Sequence, residues 1–511
     1  MVVGSLAKRL ALAKPGAAKV ASHHSRPVAL GLGHFYANPL HDALAGARPV
    51  RKNNRMMQHG GRFRWGRAWL GLGLGLLLAG CQTVESTVDR TVDAVTGRSN
   101  IPFGTPGHVS GFLGGVAADE PRAAIVARDI LSGGGSAVDA AVAGAFTMAV
   151  TLPSRAGLGG GGACVALDAQ RGLARAIIFP AGARTEIPAG TDRPAALPAM
   201  ARGLFALHLN AGRFRIEDLI RPAEDLARLG TEISRTLADD LAVVAGPLLQ
   251  DPSARQVFAR PGGGVLRLDD RIVQPDLSAT LAQLRAAPLG IGDFYQGNLA
   301  ERLVEGSMMS GGGLTEAELR TTRVRVGGPA RSAQGSDLVL LSTEASPGMA
   351  GALQAALAGQ APTDGAAGAG AGASLVTLDR EGNAVSCAFS MNNLFGTGRI
   401  VPGTGILLAA APGIGQVQAA PLPVAILARP DLRRFRAAAS GSGGPAALAA
   451  TAMPLAAVQR RGGPADPYAG VPAPGRGVMI SCAGLVPTNG PACIGAADPR
   501  GGGVALGSFG R

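Results

Sequence analysis

Residues 369–408 read AGAGASLVTLDREGNAVSCAFSMNNLFGTGRIVPGTGILL, and this stretch decides the fold. Ser374 to Leu378 is β-rich and alternating, which predicts a strand. Asp379 to Asn383 carries turn chemistry, and Ala384 to Ser390 predicts a second strand, so the two form a hairpin. Met391 to Gly405 is a polar, Gly-rich connection, and Ile406 to Leu408 opens another apolar run. Apolar strands that end in a small-residue loop make a rigid platform on which a substrate can approach the backbone.

Working outward from the hairpin, several short motifs occur in a fixed order. They are DREGNAVS (Asp379 to Ser386), the pair Ser390 and Asn392, FGTG (Phe395 to Gly398) and GILL (Gly405 to Leu408). Earlier in the chain stand GGSAVDAAVA (Gly134 to Ala143) and GLGGGG (Gly157 to Gly162). A glycine run of that kind could suggest a phosphate loop. It lacks the Lys-Ser/Thr of a P-loop and leads into a predicted strand, Ala163 to Leu167, instead of a helix. Further on come FYQG (Phe294 to Gly297), GGLT (Gly312 to Thr315) and Ser440 to Gly444.

Taken together these motifs resemble the gamma-glutamyltransferase family of the N-terminal-nucleophile hydrolases, from about Ala117 to Ala450. The resemblance implies an α+β fold, a four-layer αββα sandwich. It implies a precursor that cuts itself ahead of a Thr whose hydroxyl becomes the nucleophile, and a small gamma-glutamyl or peptide ligand, with no cofactor. Counted back from Asp379, the position of that Thr is Gly372, which has no side chain to attack with. Ser374 is the nearest hydroxyl and the candidate for a shifted nucleophile, with Ser390 as its helper. The resemblance assigns the backbone amides of Gly443 and Gly444 to an oxyanion hole, a role that needs no side chain. It assigns Asn392 and Thr404 to substrate binding.

The groups that handle charge in the family are replaced. Pro180 stands where the family has an Arg that grips a carboxylate, and spacing gives Arg184 no claim to that task. Thr404 takes the place of one acid, and Ala409 to Ala411 carry none at the place of the second. The reading that follows is a gamma-glutamyltransferase-like protein with a degenerate site, weakly active or inactive. The alternative is an active amide hydrolase or transferase using Ser374. One polypeptide near full mature size, or two fragments split near Ser374, would separate the two.

The net charge of +13 hints at nucleic acid, but its distribution points elsewhere. Residues 1–80 hold 12 Lys/Arg and a single acid, Asp42, so the remaining chain is nearly neutral and no nucleic-acid partner is expected. Arg62, Arg64 and Arg67, the apolar run Ala68 to Leu78 and the box LAGC ending at Cys81 have the form of a bacterial lipoprotein signal. The apolar run falls below the roughly 20 residues a membrane span needs. Cys81 is thus the expected lipidation site, holding the chain at the cell envelope facing the periplasm.

The expected organisation is a non-structural extension (1–55), a signal peptide (56–80), a tether (81–116), a large-subunit-like region (117–371) and a small-subunit-like region (372–511). An exported chain can form disulfides. Cys482 and Cys493 flank a Pro/Gly loop and are the expected pair, while Cys164 and Cys387 read as small core residues. His208 falls at a helix position with no acid or nucleophile close in sequence and reads as structural.

Overall fold

The computed structural model describes residues 113–286, 291–360, 371–460, 466–486 and 493–507. The extension, the signal segment, Cys81 and most of the tether lie outside the described residues.

The predicted hairpin forms the centre of a seven-stranded sheet. Its strands in chain order are β1 (Gly114–Ala118), β2 (Gly161–Asp168), β3 (Leu173–Phe179), β4 (Arg325–Gly327), β7 (Ala371–Asp379), β8 (Ala384–Asn392) and β13 (Val504–Gly507). Their spatial order is β13-β1-β7-β8-β2-β3-β4, with every neighbouring pair antiparallel. A second sheet of six strands contains β5 (Ala330–Gln334), β6 (Asp337–Leu341), β9 (Val424–Ala428), β10 (Phe435–Ser442), β11 (Arg476–Val486) and β12 (Cys493–Ala497). Its order is β12-β11-β10-β9-β6-β5, again antiparallel.

Three hydrophobic cores separate four layers. One lies between the first sheet and the helices α1 (Pro121–Ser132), α2 (Ala137–Thr151), α3 (Met200–Ala211), α4 (Ile216–Leu229) and α5 (Pro275–Ala286). The second lies between the sheets, where Val376, Leu378 and Ala388 meet Ile426, Ala438 and Ile480. The third packs the second sheet on α6 (Met349–Leu357) and α7 (Ala447–Gln459). This is the expected αββα sandwich. Both sheets are covered on both faces, so the strands of the hairpin are buried at every position instead of alternating.

Local chemistry sets the helix starts. Glu120 accepts from the Ala123 N–H and Pro121 occupies the first turn of α1. Ser136 and Asp139 form a reciprocal capping box on α2, a helix buried along its whole length because Ala and Gly let it sit close to its neighbours. Asp379, at the hairpin turn, accepts from Asn383 N and Nδ2 and from the Ala137 N–H, which ties the turn to the start of α2. His208 lies 2.8 Å from the Phe214 carbonyl oxygen and holds the loop after α3, a structural place.

Two expectations about small residues need revision. The hairpin strands extend beyond the predicted limits, back to Ala371 and on to Asn392, because Gly372 and Ala373 pair with Ser390 and Phe389 inside the ladder. Cys164 and Cys387 are also not isolated core thiols. They face each other across the β2–β8 pair and form a disulfide, S–S 2.05 Å. Nothing in their sequence neighbourhoods brings them together across 223 positions; strand register does. Cys482 and Cys493 form the second disulfide, across β11 and β12, as expected.

Candidate active site

The start of β7, the end of β8 and the end of β10 meet at one end of the sandwich. Gly372 lies opposite Ser390 in the β7–β8 ladder. A Cβ added to Gly372 would lie 3.1 Å from the Phe389 carbonyl oxygen and 3.5 Å from Ser442 Cβ. The place of a nucleophile side chain is therefore narrow, and it faces Ser442 on the opposite sheet.

Ser390 and Asn392 stand beside this place, but backbone occupies much of their hydrogen-bonding capacity. Ser390 Oγ donates to the Ala371 carbonyl at 2.5 Å and accepts from the Asn392 N–H at 2.8 Å. Asn392, held at a φ of 62° next to a ladder irregularity, donates from Nδ2 to the Ala410 carbonyl at 2.8 Å. Its Oδ1 accepts from the Ala420 N–H at 3.3 Å. The pair acts as a strut between the end of β8 and the chain at Ala410 and Ala420.

Gly443 and Gly444 follow the end of β10 at φ values of 102° and 59°. Both lie in the left-handed region, which glycine enters without steric cost. At Gly443 a side chain would also strike the Pro474 carbonyl oxygen, 2.4 Å from a Cβ. Among the hydrogen bonds of the described residues, neither glycine N–H has an acceptor. The turn leads through one 3-10 turn into α7, so two unspent donors sit just ahead of a helix.

Ser374 is fully buried and its hydroxyl has no partner. It lies opposite Ala388 in the ladder and faces the layer between the sheets, with Val376 and Leu378. Its N–H donates to Asp119 Oδ2 at 2.8 Å, and its carbonyl accepts from the Asp119 N–H at 3.1 Å. A cut immediately ahead of Ser374 would break a strand already paired at Gly372 and Ala373. Thr404 is fully buried. Its hydroxyl donates to the Val401 carbonyl at 3.0 Å and accepts from the Ile406 N–H at 3.2 Å, which commits it to its own turn.

Two groups that motif reading passed over belong to the same end. Asp119, at the end of β1, accepts from Ser442 Oγ at 3.3 Å as well as from the Ser374 N–H. Burial pushes its carboxyl above the ordinary aspartate range, against the opposing pull of the Arg155 charge and, more weakly, of Arg476. Asp119 directly precedes the Glu120 cap, so local sequence shows only a helix start. Its meeting with Ser442 across 323 positions is a product of sheet stacking.

Among the described residues, the positions that the motifs assign to a glutamyl clamp hold no charged side chain, and the nearby Arg184 is engaged elsewhere. Pro180 is exposed. Arg184 has a side chain that is 0% exposed, paired with Glu318 at 2.7 Å and bonded to the carbonyls of Ala195, Gly312 and Gly313. That ion pair, with help from Thr315, holds the Glu318 carboxyl below its ordinary range despite desolvation by burial. Among the described residues no group of three His, Cys, Asp or Glu side chains lies together as a metal site would require.

Comparison with known proteins adds the lineage. A gamma-glutamyltranspeptidase family model matches residues 123–360. The glutathione hydrolase proenzyme of Escherichia coli (strain K12) is 32% identical over 222 residues, covering 40% of this chain and 38% of that protein. Residues 123–360 thus form a gamma-glutamyltranspeptidase-like region. Glutathione hydrolase 3 of Arabidopsis thaliana is 31% identical over 224 residues, 42% of this chain and 35% of that one. The chain thus matches little more than a third of the length of these two relatives. The cephalosporin acylase of Bacillus halodurans has the same fold, with a TM-score of 0.61 at 18% identity over 81% of this chain and 100% of that chain. The family match ends at residue 360, ahead of Gly372.

Proposed function

We propose that this chain is an envelope lipoprotein of the gamma-glutamyltranspeptidase family with a degenerate site. It does not release an N-terminal nucleophile, and it hydrolyses glutathione-like amides weakly or not at all. The carrying observation is Gly372: the nucleophile position lacks a hydroxyl and is paired with Ser390 in the strand ladder. The loss of a nucleophile removes an effect worth orders of magnitude in rate. The commitment of Arg184 to Glu318 and of Thr404 to its own turn supports the same reading, since neither is left to hold a charged glutamyl group. The ligand, in this reading, is a small gamma-glutamyl or peptide compound held without full turnover.

Two disulfides support an oxidising compartment, in line with export and lipidation at Cys81. No helix among the described residues is long and apolar enough to cross a membrane, so membrane attachment in this reading rests on the lipid. The use of Ser374 as a shifted nucleophile gains no support from its buried, ladder-paired position.

The test is a denaturing gel of purified protein together with glutamate release from a gamma-glutamyl anilide. One band of mature size and negligible release are expected. Two fragments split near Gly372, or turnover typical of glutathione hydrolases, would overturn the proposal. Loss of membrane association in Cys81→Ser checks the anchor; an unchanged membrane fraction would refute it.

A further inference from the structure

We propose that Ser442 and Asp119 form a second, intact nucleophile–base pair in the chamber, able to transfer a small acyl group in the unsplit chain. The inference rests on the reading above, that no N-terminal nucleophile is released.

Four observations place the pair together. Ser442 Oγ donates to Asp119 Oδ2 at 3.3 Å, so a hydroxyl already points at a carboxylate able to accept its proton. Ser442 Cβ lies 3.5 Å from where a Gly372 Cβ would be, so the space left by the missing side chain is in front of Ser442. Ser442 ends β10 and is followed at once by Gly443 and Gly444, whose N–H groups have no acceptor among the described residues. Those donors adjoin the hydroxyl that would attack, the arrangement needed for charge developing on a tetrahedral oxygen. Finally, Ser442 is 3% exposed and Asp119 is part-buried, so the pair is largely shielded from bulk water. Burial raises the Asp119 carboxyl, which makes it a stronger base than an ordinary aspartate.

The reaction balances with water alone. Ser442 Oγ bonds to the carbonyl carbon of an ester or amide while its proton passes to Asp119. The carbon–oxygen or carbon–nitrogen bond to the leaving group breaks, and Asp119 returns the proton to that alcohol or amine. Water then attacks the acyl-serine and gives a proton to Asp119; the bond to Ser442 Oγ breaks, Asp119 passes that proton to the Oγ, and the acid departs. An added Cβ at Gly372 would already lie 3.1 Å from the Phe389 carbonyl oxygen, so the acyl group this place admits is a short one, of acetyl or glycyl size. Ser374 has no part in the step, because its hydroxyl has no bond to a base.

The test uses full-length protein, p-nitrophenyl acetate as substrate and phenylmethylsulfonyl fluoride as covalent probe, with peptide mapping. A single sulfonyl adduct on Ser442 is expected. Ser442→Ala should abolish the adduct and lower turnover about 100-fold, and Asp119→Asn should lower turnover at least about tenfold. An adduct on Ser374 or elsewhere, or turnover unchanged in Ser442→Ala, overturns the proposal. If Asp119→Asn does not fold, Ser442→Ala and the adduct position decide. A split chain would sink the parent reading, whereas an unsplit chain whose Ser442 resists sulfonylation sinks this inference alone.

Discussion

Replacing Cys164 and Cys387 together by alanine should cost this protein substantially more stability than replacing Cys482 and Cys493. All four cysteines are buried, so each double variant loses comparable packing. The difference lies in the unfolded chain. One bridge closes a sequence separation of 223 and the other a separation of 11. The chain-entropy relation gives about 5.4 kcal/mol for the first and about 2.8 kcal/mol for the second at 25 °C, so about 2.6 kcal/mol should separate the variants. Strand pairing already brings each pair together in the folded state, so the bridges act mainly by restricting the unfolded ensemble. Urea unfolding followed by far-ultraviolet circular dichroism measures the difference. Peptide mapping without reductant first checks that Cys164 and Cys387 are joined. If those two thiols alkylate freely, or if both double variants lose the same stability, the register argument for the long bridge is wrong.

Arg184→Ala should destabilise the fold by about 3–5 kcal/mol, because it leaves Glu318 and three carbonyls in a buried site without their cation; a change below about 1 kcal/mol in chemical denaturation would contradict it. Burial raises Asp379 from 3.8 to about 6, so the folded protein binds that proton more tightly than the unfolded chain does. Stability from this group is complete below its unfolded value and declines as pH rises toward 6, by about 3 kcal/mol in all. Asp379→Asn should flatten the stability profile between about pH 4 and 6, and an unchanged slope in the variant would exclude Asp379 as its source. Gly203→Ala would put a Cβ 2.1 Å from the Phe179 ring, between α3 and β3, and should cost about 1–3 kcal/mol by overpacking. A thermal midpoint equal to that of the parent would show that the ring can move aside.

The sequence by itself determined the pieces whose causes are local. Turn chemistry at Asp379 to Asn383 marked the hairpin, and the small-residue run at Ala137 to Thr151 marked a buried helix. Ordered motifs carried the family and, through it, the layered fold. They also exposed the vacancy at Gly372, since a missing side chain is visible in a motif without any coordinates. What only tertiary structure decided are contacts between residues with no shared local signal. Sheet register joined Cys164 to Cys387, and stacking of the sheets set Ser442 against Asp119. Packing likewise showed Arg184 committed to Glu318, and Thr404 turned into its own loop. Local periodicity fixes which face of an element is apolar. Which hydroxyl meets which carboxylate depends on strand register and sheet stacking, and those are set by the whole core at once.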